Sequence, residues 1–591
     1  MSSKSRSSLI AMLIALAIGA GNSGCADGTR SVTPPPVNLV ITTTSLPTGT
    51  VNVPYSVALQ SSGGTPPVTW SLALGGILPP GLSLRSDGTI SGAPTAPGSA
   101  GLKVLATDST APTPQDAEKD LSIGINAADT SHNALLNGHY AFMMSGIAFS
   151  IHIGGLISSG PDAAAGSFVA DGLGNLTSGV SDFIFNTEEG GATSNQPFTG
   201  TYSLGSDNRG TMTINSPTGT VTLAFSVGSI SPSGVAAKGR IINFGTSSPD
   251  DTTGGEFDLQ DTTAFSTSAI AGTYAFGLGG GCQNCVFGAD GVFTADGTGN
   301  LLTGEADTNQ DGTFTPDQQL NGMYGVASSA FGRGTASFTF GGMTLDITFY
   351  VVSAKKLLLV SAEQGNTVFV FIGQALKQSG GPFSNGSLQG AGVLYTIAES
   401  PDVTAGLATF DGVGAITLLQ DQNNKGSITS GTMTSESYSV ASNGRVTVTA
   451  AGSTVSSIYL VSPGMGFILN ADSDAGTGFL EPQSAGPFSN SSINGTFFFG
   501  DPSPCHLCFL HTLAISGVAM LNAGSFNQTV DANIAGRLFY DQTSADTYSV
   551  SLNGRATIGS GNEVIYIVSP SKFVVIDSGD ARNPTIEVFE Q

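Results

Sequence analysis

Four times along this chain a Tyr is followed, seven or nine residues later, by an Arg in a Gly- or Asn-marked turn: Tyr202 and Arg209, Tyr324 and Arg333, Tyr438 and Arg445, Tyr548 and Arg555. The Tyr-to-Tyr steps are 122, 114 and 110 residues. Solenoid units are only about 20–50 residues long, so a repeat of this length is a whole small domain. The C-terminal three quarters of the chain is therefore one domain written four times.

The copies align beyond that pair. Each opens on a Gly, at Gly138, Gly272, Gly390 and Gly495, and continues into an Asp-Gly-x-Gly turn at Asp171–Gly174, Asp296–Gly299 and Asp411–Gly414. Copy four has decayed to Leu521-Asn522-Ala523-Gly524. Asp-Gly between alternating apolar runs supplies the positive φ angles of tight hairpins. A later run recurs as Phe349–Ser353, Ile458–Pro463 and Ile565–Pro570. Short β-branched and aromatic runs at this spacing predict an all-β domain of about eight strands, and hairpins in simple order suit an up-and-down barrel. A two-sheet sandwich is the competing reading. The aligned Tyr is expected to bury its ring and the aligned Arg to cap a turn or edge.

Composition fits exported β-rich chains: charged residues make up 10%, with 81 Gly and 28 Pro in 591 residues. Lys and Arg total 19 against 43 Asp and Glu, a net charge of −24. That balance excludes a nucleic-acid backbone as partner.

Lys4 and Arg6 precede an apolar run from Leu9 to Ala20. It is too short to span a bilayer and matches a signal-peptide core. The following Asn22-Ser23-Gly24-Cys25 resembles a bacterial lipoprotein signal, which implies lipidation of Cys25, although Asn22 departs from the usual aliphatic residue. Ordinary cleavage after Ala26 is the rival. Without Cys25 the remaining four cysteines form two Cys-x-x-Cys pairs, leaving no odd thiol. Pro34-Pro35-Pro36 makes a stiff spacer. The expected layout is a leader over 1–25, a Pro-rich linker over 26–37, a distinct domain over 38–127, and repeats over 128–264, 265–377, 378–484 and 485–591.

Residues 38–127 do not copy the repeat. Their Pro54-Tyr55-Ser56, Gly63-Gly64-Thr65, Trp70-Ser71-Leu72, Leu78–Leu84, Gly88–Thr95 and Thr107-Asp108 resemble the immunoglobulin-like domain family of bacterial surface proteins, within the cadherin-like superfamily. The resemblance implies a sandwich of about seven strands. Trp70, the only Trp, is expected in its core. Cadherin calcium sites use acidic runs that this stretch lacks, keeping only Asp108 and Asp116.

Three features of the repeats could carry chemistry. Cys282 with Cys285 and Cys505 with Cys508 each begin ten residues after the opening Gly of their copy. In an oxidising compartment each pair is expected as a disulfide, with a shared zinc site and a redox role as alternatives. Asp307, Asn309 and Asp311, followed by Gly312, match the opening of a calcium loop whose twelfth position is Gln318 in place of Glu. Calcium is the one cofactor suggested, against a solvated acidic turn. Neither a Gly-x-Ser-x-Gly elbow nor a His-Glu-x-x-His motif occurs, the five His fall in copies one and four, and adjacent Glu188 and Glu189 would face opposite sides of a strand. No catalytic set stands out.

The sequence thus reads as an exported, lipid-anchored bacterial surface protein with a non-enzymatic adhesion or binding role toward a glycan or protein. An envelope stalk and a secreted polysaccharide-acting enzyme are the alternatives. Tandem domains favour binding, because several weak sites on one tether raise avidity.

Overall fold

The computed structural model describes residues 38–591 except 152–156, 186–190, 246–251, 283–284, 363–368, 399–401, 425, 501–512, 535, 560 and 578–583. The described part divides into an N-terminal unit and a larger C-terminal unit holding the repeats.

In the N-terminal unit a sheet ordered Gly49–Thr50, Asp116–Asn126, Gly98–Thr107, Thr69–Leu72 accompanies a three-stranded sheet of Tyr55–Ala58, Thr89–Gly92 and Leu82–Leu84. Between them lie Trp70, Ile90, Leu102, Val104, Ile123 and Ile125, all buried. Trp70 is a core residue, as expected. Asp108 ties loops together, accepting from the backbone N–H groups of Thr65 and Gln115 at 2.8 and 2.6 Å. Those bonds outweigh its burial and hold the carboxyl at about 2.

Each repeat is a closed eight-stranded antiparallel barrel whose strands pair in simple chain order, over residues 137–259, 271–377, 389–482 and 495–590. Closure wins over the sandwich because the first and last strands pair, as in Tyr274 opposite Lys377, and this leaves no sheet edge. The Asp-Gly-x-Gly turns work as the sequence suggests. The Asp171 carboxylate accepts from the N–H groups of Leu173 and Asn175 at 2.7 and 3.0 Å, while Gly172 takes a φ of 75°. Asp296 and Asp411 repeat the arrangement.

Inward residues fill each barrel with aromatic rings. Phe499 and Phe573 stack on either side of Phe589 at 4.3 and 4.5 Å in barrel 4, and Tyr140 stacks on Phe168 in barrel 1. The motif Tyr of the fourth strand closes one end. Its ring is buried, and its hydroxyl donates to the carbonyl of the segment entering the same barrel: Tyr202 to Leu136, Tyr324 to Ile270, Tyr438 to Leu388 and Tyr548 to Ile493, at 2.7, 2.6, 2.9 and 2.9 Å.

Candidate functional site

The motif Arg reaches beyond its own turn, where only Arg209 among the four touches a turn carboxylate, Asp207. It begins the fifth strand of its barrel and reaches a buried Asp on the third strand of the preceding one. Arg333 grips Asp182 through two bonds of 2.7 and 2.6 Å, and Arg555 grips Asp421 through two of 2.8 Å. Arg445 reaches both oxygens of Asp307, at 3.0 and 2.8 Å. A Tyr from the sixth strand adds its hydroxyl: Tyr350 to Asp182 at 2.6 Å, Tyr459 to Asp307 at 3.5 Å, and Tyr566 to Asp421. Planar guanidinium on carboxylate is the strongest charge-assisted geometry that proteins use.

The series closes on itself. Arg209 of barrel 1 pairs with Asp531 of barrel 4, so barrel 1 meets barrel 2, 2 meets 3, 3 meets 4, and 4 meets 1. Asn residues two positions after three of these Asp support the contact from the same strand face. Asn309 donates to the carbonyls of Asn470 and Asp472 at 2.8 and 2.7 Å, Asn423 to that of Asp577 at 3.2 Å, and Asn533 to that of Asn243 at 2.9 Å. Copy one has Ile184 at this place.

The same geometry places the residues of the calcium-loop reading. Asp307 and Asn309 lie in a strand, Asn300–Gln310, where alternate side chains share a face. That face is spent on barrel 3. Asp311 starts the next turn and accepts from the N–H of Val286 at 2.9 Å, and Gln318 donates to the carbonyl of Thr315. Among the described residues no group of three or more His, Cys, Asp or Glu is placed to hold a metal. Asp-x-Asn is a docking motif, and it recurs as Asp421-Gln422-Asn423 and Asp531-Ala532-Asn533.

Cys282 and Cys285 are disulfide-bonded across the hairpin joining the first two strands of barrel 2. Cys25, Cys505, Cys508, His152, His506, His511, Glu188 and Glu189 lie outside the described residues.

Sequence reading missed the linkers. Gln260, Gln378 and Gln483 each follow the last strand of a barrel and donate to two carbonyls of the next: to Val351 and Phe331, to Leu460 and Asn443, and to Ile567 and Asn553. Their recurrence before a Phe at 265, 383 and 488 was the available signal.

Where the four barrels converge lies a cavity of about 370 Å³ lined by all of them. Seventh and eighth strands supply a belt of charge. Lys238 pairs with Glu590 at 3.2 Å, Arg240 with Glu256 at 3.2 Å, Lys356 with Asp258 at 2.7 Å, and Lys572 with Glu481 at 2.7 Å and Glu590 at 3.2 Å. Gln374 donates to Glu256 at 2.6 Å. Burial works against ionisation of Glu256, yet Lys356 and Arg240 hold it at about 2, and Lys572 and its neighbours keep Glu590 far below the usual range. Every charge in the belt is matched within it. Facing the belt are Leu278, Phe287, Ile397, Met465, Phe467 and Phe479. Phe467 and Phe479 meet edge to face with centroids 5.0 Å apart.

No large apolar side chain exposed elsewhere on the described residues is aromatic. Rings and polar groups come together in the shared cavity instead.

No curated protein matches the chain. Among solved structures, a SusE-like surface-located polysaccharide-binding protein of Bacteroides thetaiotaomicron aligns with 13% identity over 30% of this chain and 41% of its own, at a TM-score of 0.14. The chain thus spans less than half of that protein. A quinonprotein alcohol dehydrogenase-like protein of the same organism aligns at 9% identity over 93% of this chain and 97% of its own, TM-score 0.11. Transferrin binding protein B of Neisseria meningitidis aligns at 8% identity over 57% and 79%, TM-score 0.11. Values this low carry no inference to this chain. The family model described as "Putative Ig domain" matches residues 35–121, so the N-terminal stretch carries the immunoglobulin-like domain its Pro and Gly pattern resembles, and the four barrels have no assigned family.

Proposed function

We propose that this is an exported surface protein, tethered through Cys25, whose four barrels act together as one non-enzymatic ligand-binding body, with a glycan as the ligand. The observation that carries this reading is the cavity built from all four copies. No barrel alone encloses it, and its size falls in the range of about 300–1,000 Å³ typical of small-molecule sites. The leader and Pro-rich spacer support a position outside the cell.

A glycan array probed with the purified protein and with Met465→Trp tests the reading. Met465 lines the cavity, and an indole there intrudes on it beside the ring face of Phe467 and Phe479. Signals on the array that vanish with the variant support binding in the cavity; a blank array for the native protein refutes the binding role. Membrane fractionation of Cys25→Ala tests the tether, because release of mature protein is the expected outcome.

The internal matching of the belt charges favours a second reading, a structural core for a rigid stalk. In that case Met465→Trp lowers the melting temperature and the array stays dark.

A further inference from the structure

We infer that the cavity takes one or two rings of a neutral saccharide, seated by Tyr395 and the paired charges of the belt against the phenyl groups of barrel 3. This deepens the binding role proposed above and rests on it.

Charge balance selects the ligand class. Four cationic side chains, Lys238, Arg240, Lys356 and Lys572, stand with four carboxylates, Glu256, Asp258, Glu481 and Glu590, and each touches an opposite charge. A phosphate, uronate or ammonium ligand would draw one of these groups from its partner and leave the other buried and unpaired. A sugar hydroxyl both donates and accepts. It can bridge a carboxylate and an ammonium without stranding either.

Tyr395 gives the belt an open position. It sits on the first strand of barrel 3 and lines the cavity in the field of Lys572, Glu481, Arg240 and Glu590. Its hydroxyl meets no hydrogen-bonding partner among the described residues, in contrast to Tyr350 and Tyr566, which are spent on Asp182 and Asp421. Burial keeps it protonated, well above its ordinary pKa. A neutral donor and acceptor facing matched charges is suited to a hydroxylated ligand.

The opposite wall completes the fit. Phe467 and Phe479 offer rings to the C–H face of a pyranose, and Ile397 and Leu278 close the apolar side. At about 30 Å³ per water, the cavity holds roughly twelve waters. That space admits one or two rings and no more, so recognition is of a terminal unit.

Titration calorimetry tests this with the purified protein and six probes: glucose, galactose, N-acetylglucosamine, cellobiose, glucuronate and inorganic phosphate. At least one neutral probe should bind, glucuronate and phosphate should not, and Tyr395→Phe should weaken binding about tenfold while the circular dichroism spectrum and melting temperature stay at native values. Binding confined to glucuronate or phosphate overturns the ligand class and leaves the binding role standing. Neutral binding that Tyr395→Phe leaves at native strength overturns the seating. Silence from all six probes alongside a positive glycan array overturns the terminal-ring assignment alone, whereas silence in both removes the binding role with it. Should Tyr395→Phe misfold, Met465→Trp decides, since neutral binding kept at native strength with an indole intruding on the cavity overturns the site.

Discussion

Three of the four seams between barrels join consecutive copies, and the fourth joins the last barrel to the first. The first three share two features: a sixth-strand Tyr hydroxyl on the Asp that the Arg reaches, and a linker Gln donating to two carbonyls. The fourth differs at each point. Ser226 stands where Tyr350, Tyr459 and Tyr566 stand, since it pairs across strands with Arg209 as they pair with Arg333, Arg445 and Arg555. Tyr540 of the opposing barrel supplies the ring instead, with the Arg209 guanidinium 5.3 Å from its centroid. No linker crosses this seam. Its Arg is the most buried of the four, at 1% side-chain exposure against 11%, 12% and 20%. Where the chain supplies no tether, deeper burial of the Arg takes over; the added carboxylates Asp207 and Asp541 have counterparts in Glu305 and Asp317 around Arg445 of a tethered seam. A peptide linker raises the effective concentration of its two ends, so a tethered seam tolerates weaker side-chain contacts than an untethered one.

The sharpest way to break this comparison is Asp531→Ala. It strands Arg209 in a buried site, and such losses cost about 3–5 kcal/mol; with Asp541 still in contact the lower end is expected. Small-angle scattering should show the ring opened, whereas Asp182→Ala should leave the overall dimensions native because a linker and Gln260 still hold that seam. Equal expansion in both variants would mean that tethering contributes nothing.

Next comes the exchanged ring. Ser226→Tyr alone should overpack the seam that Tyr540 already fills, at about 1–3 kcal/mol. Ser226→Tyr with Tyr540→Ser should recover most of that loss, a coupling that a double-mutant cycle reads directly. Additive losses would show that the two positions do not share the space.

Gln378→Ala should cost about 1 kcal/mol, since two carbonyls lose a donor but lie near solvent. Hydrogen exchange at the neighbouring strands of barrels 2 and 3 measures it. An effect as large as that of Asp531→Ala would make the linker, and not the Arg pair, the main bond of a tethered seam.

The smallest effect is one of pH, and it runs in opposite directions. Burial pushes Asp531 up to about 6, with Arg209 offsetting only part. The closed ring therefore binds that proton more tightly than an open one, and the fourth seam should loosen as pH rises through 6. Burial also opposes ionisation of Asp182 and Asp421, but Arg333 and Arg555 with their Tyr partners outweigh it and hold both below the ordinary range. Their contribution is present above about pH 4 and lost as pH falls through the depressed values. Hydrogen exchange at pH 5 and pH 8, corrected for intrinsic rates, should show protection rising at Asp531 on acidification and unchanged at Asp182. The same trend at both would refute the contrast.

Much of the fold was legible because it is local. Hairpin turns, alternation and the aligned Tyr are set by residues a few positions apart, so the repeat, the barrel order and the buried ring of Tyr202 could be read from the chain. The seams were not legible. The partner of Arg445 is Asp307, 138 residues earlier in another copy, and no local pattern connects them. Asp307-x-Asn309 shows why: the alternate spacing that converges on an ion in a loop points to one face in a strand, and here that face meets barrel 3. The cavity was least visible of all, because Lys238, Gln374, Tyr395 and Glu590 become neighbours only after four domains have docked.

The contact between the last barrel and the first also bears on the order of the copies along the chain. The backbone oxygen of Gln591 accepts from Ser229 of barrel 1 at 2.7 Å, so the segment after the last strand of barrel 4 lies on the barrel that begins the series. Seen this way, which barrel comes first in the chain is an arbitrary cut in a circle. A circular permutant beginning at residue 380 and joining 591 to 131 through a short inserted peptide should assemble the same body, with the Arg445–Asp307 seam now untethered and the Arg209–Asp531 seam spanned by the inserted peptide.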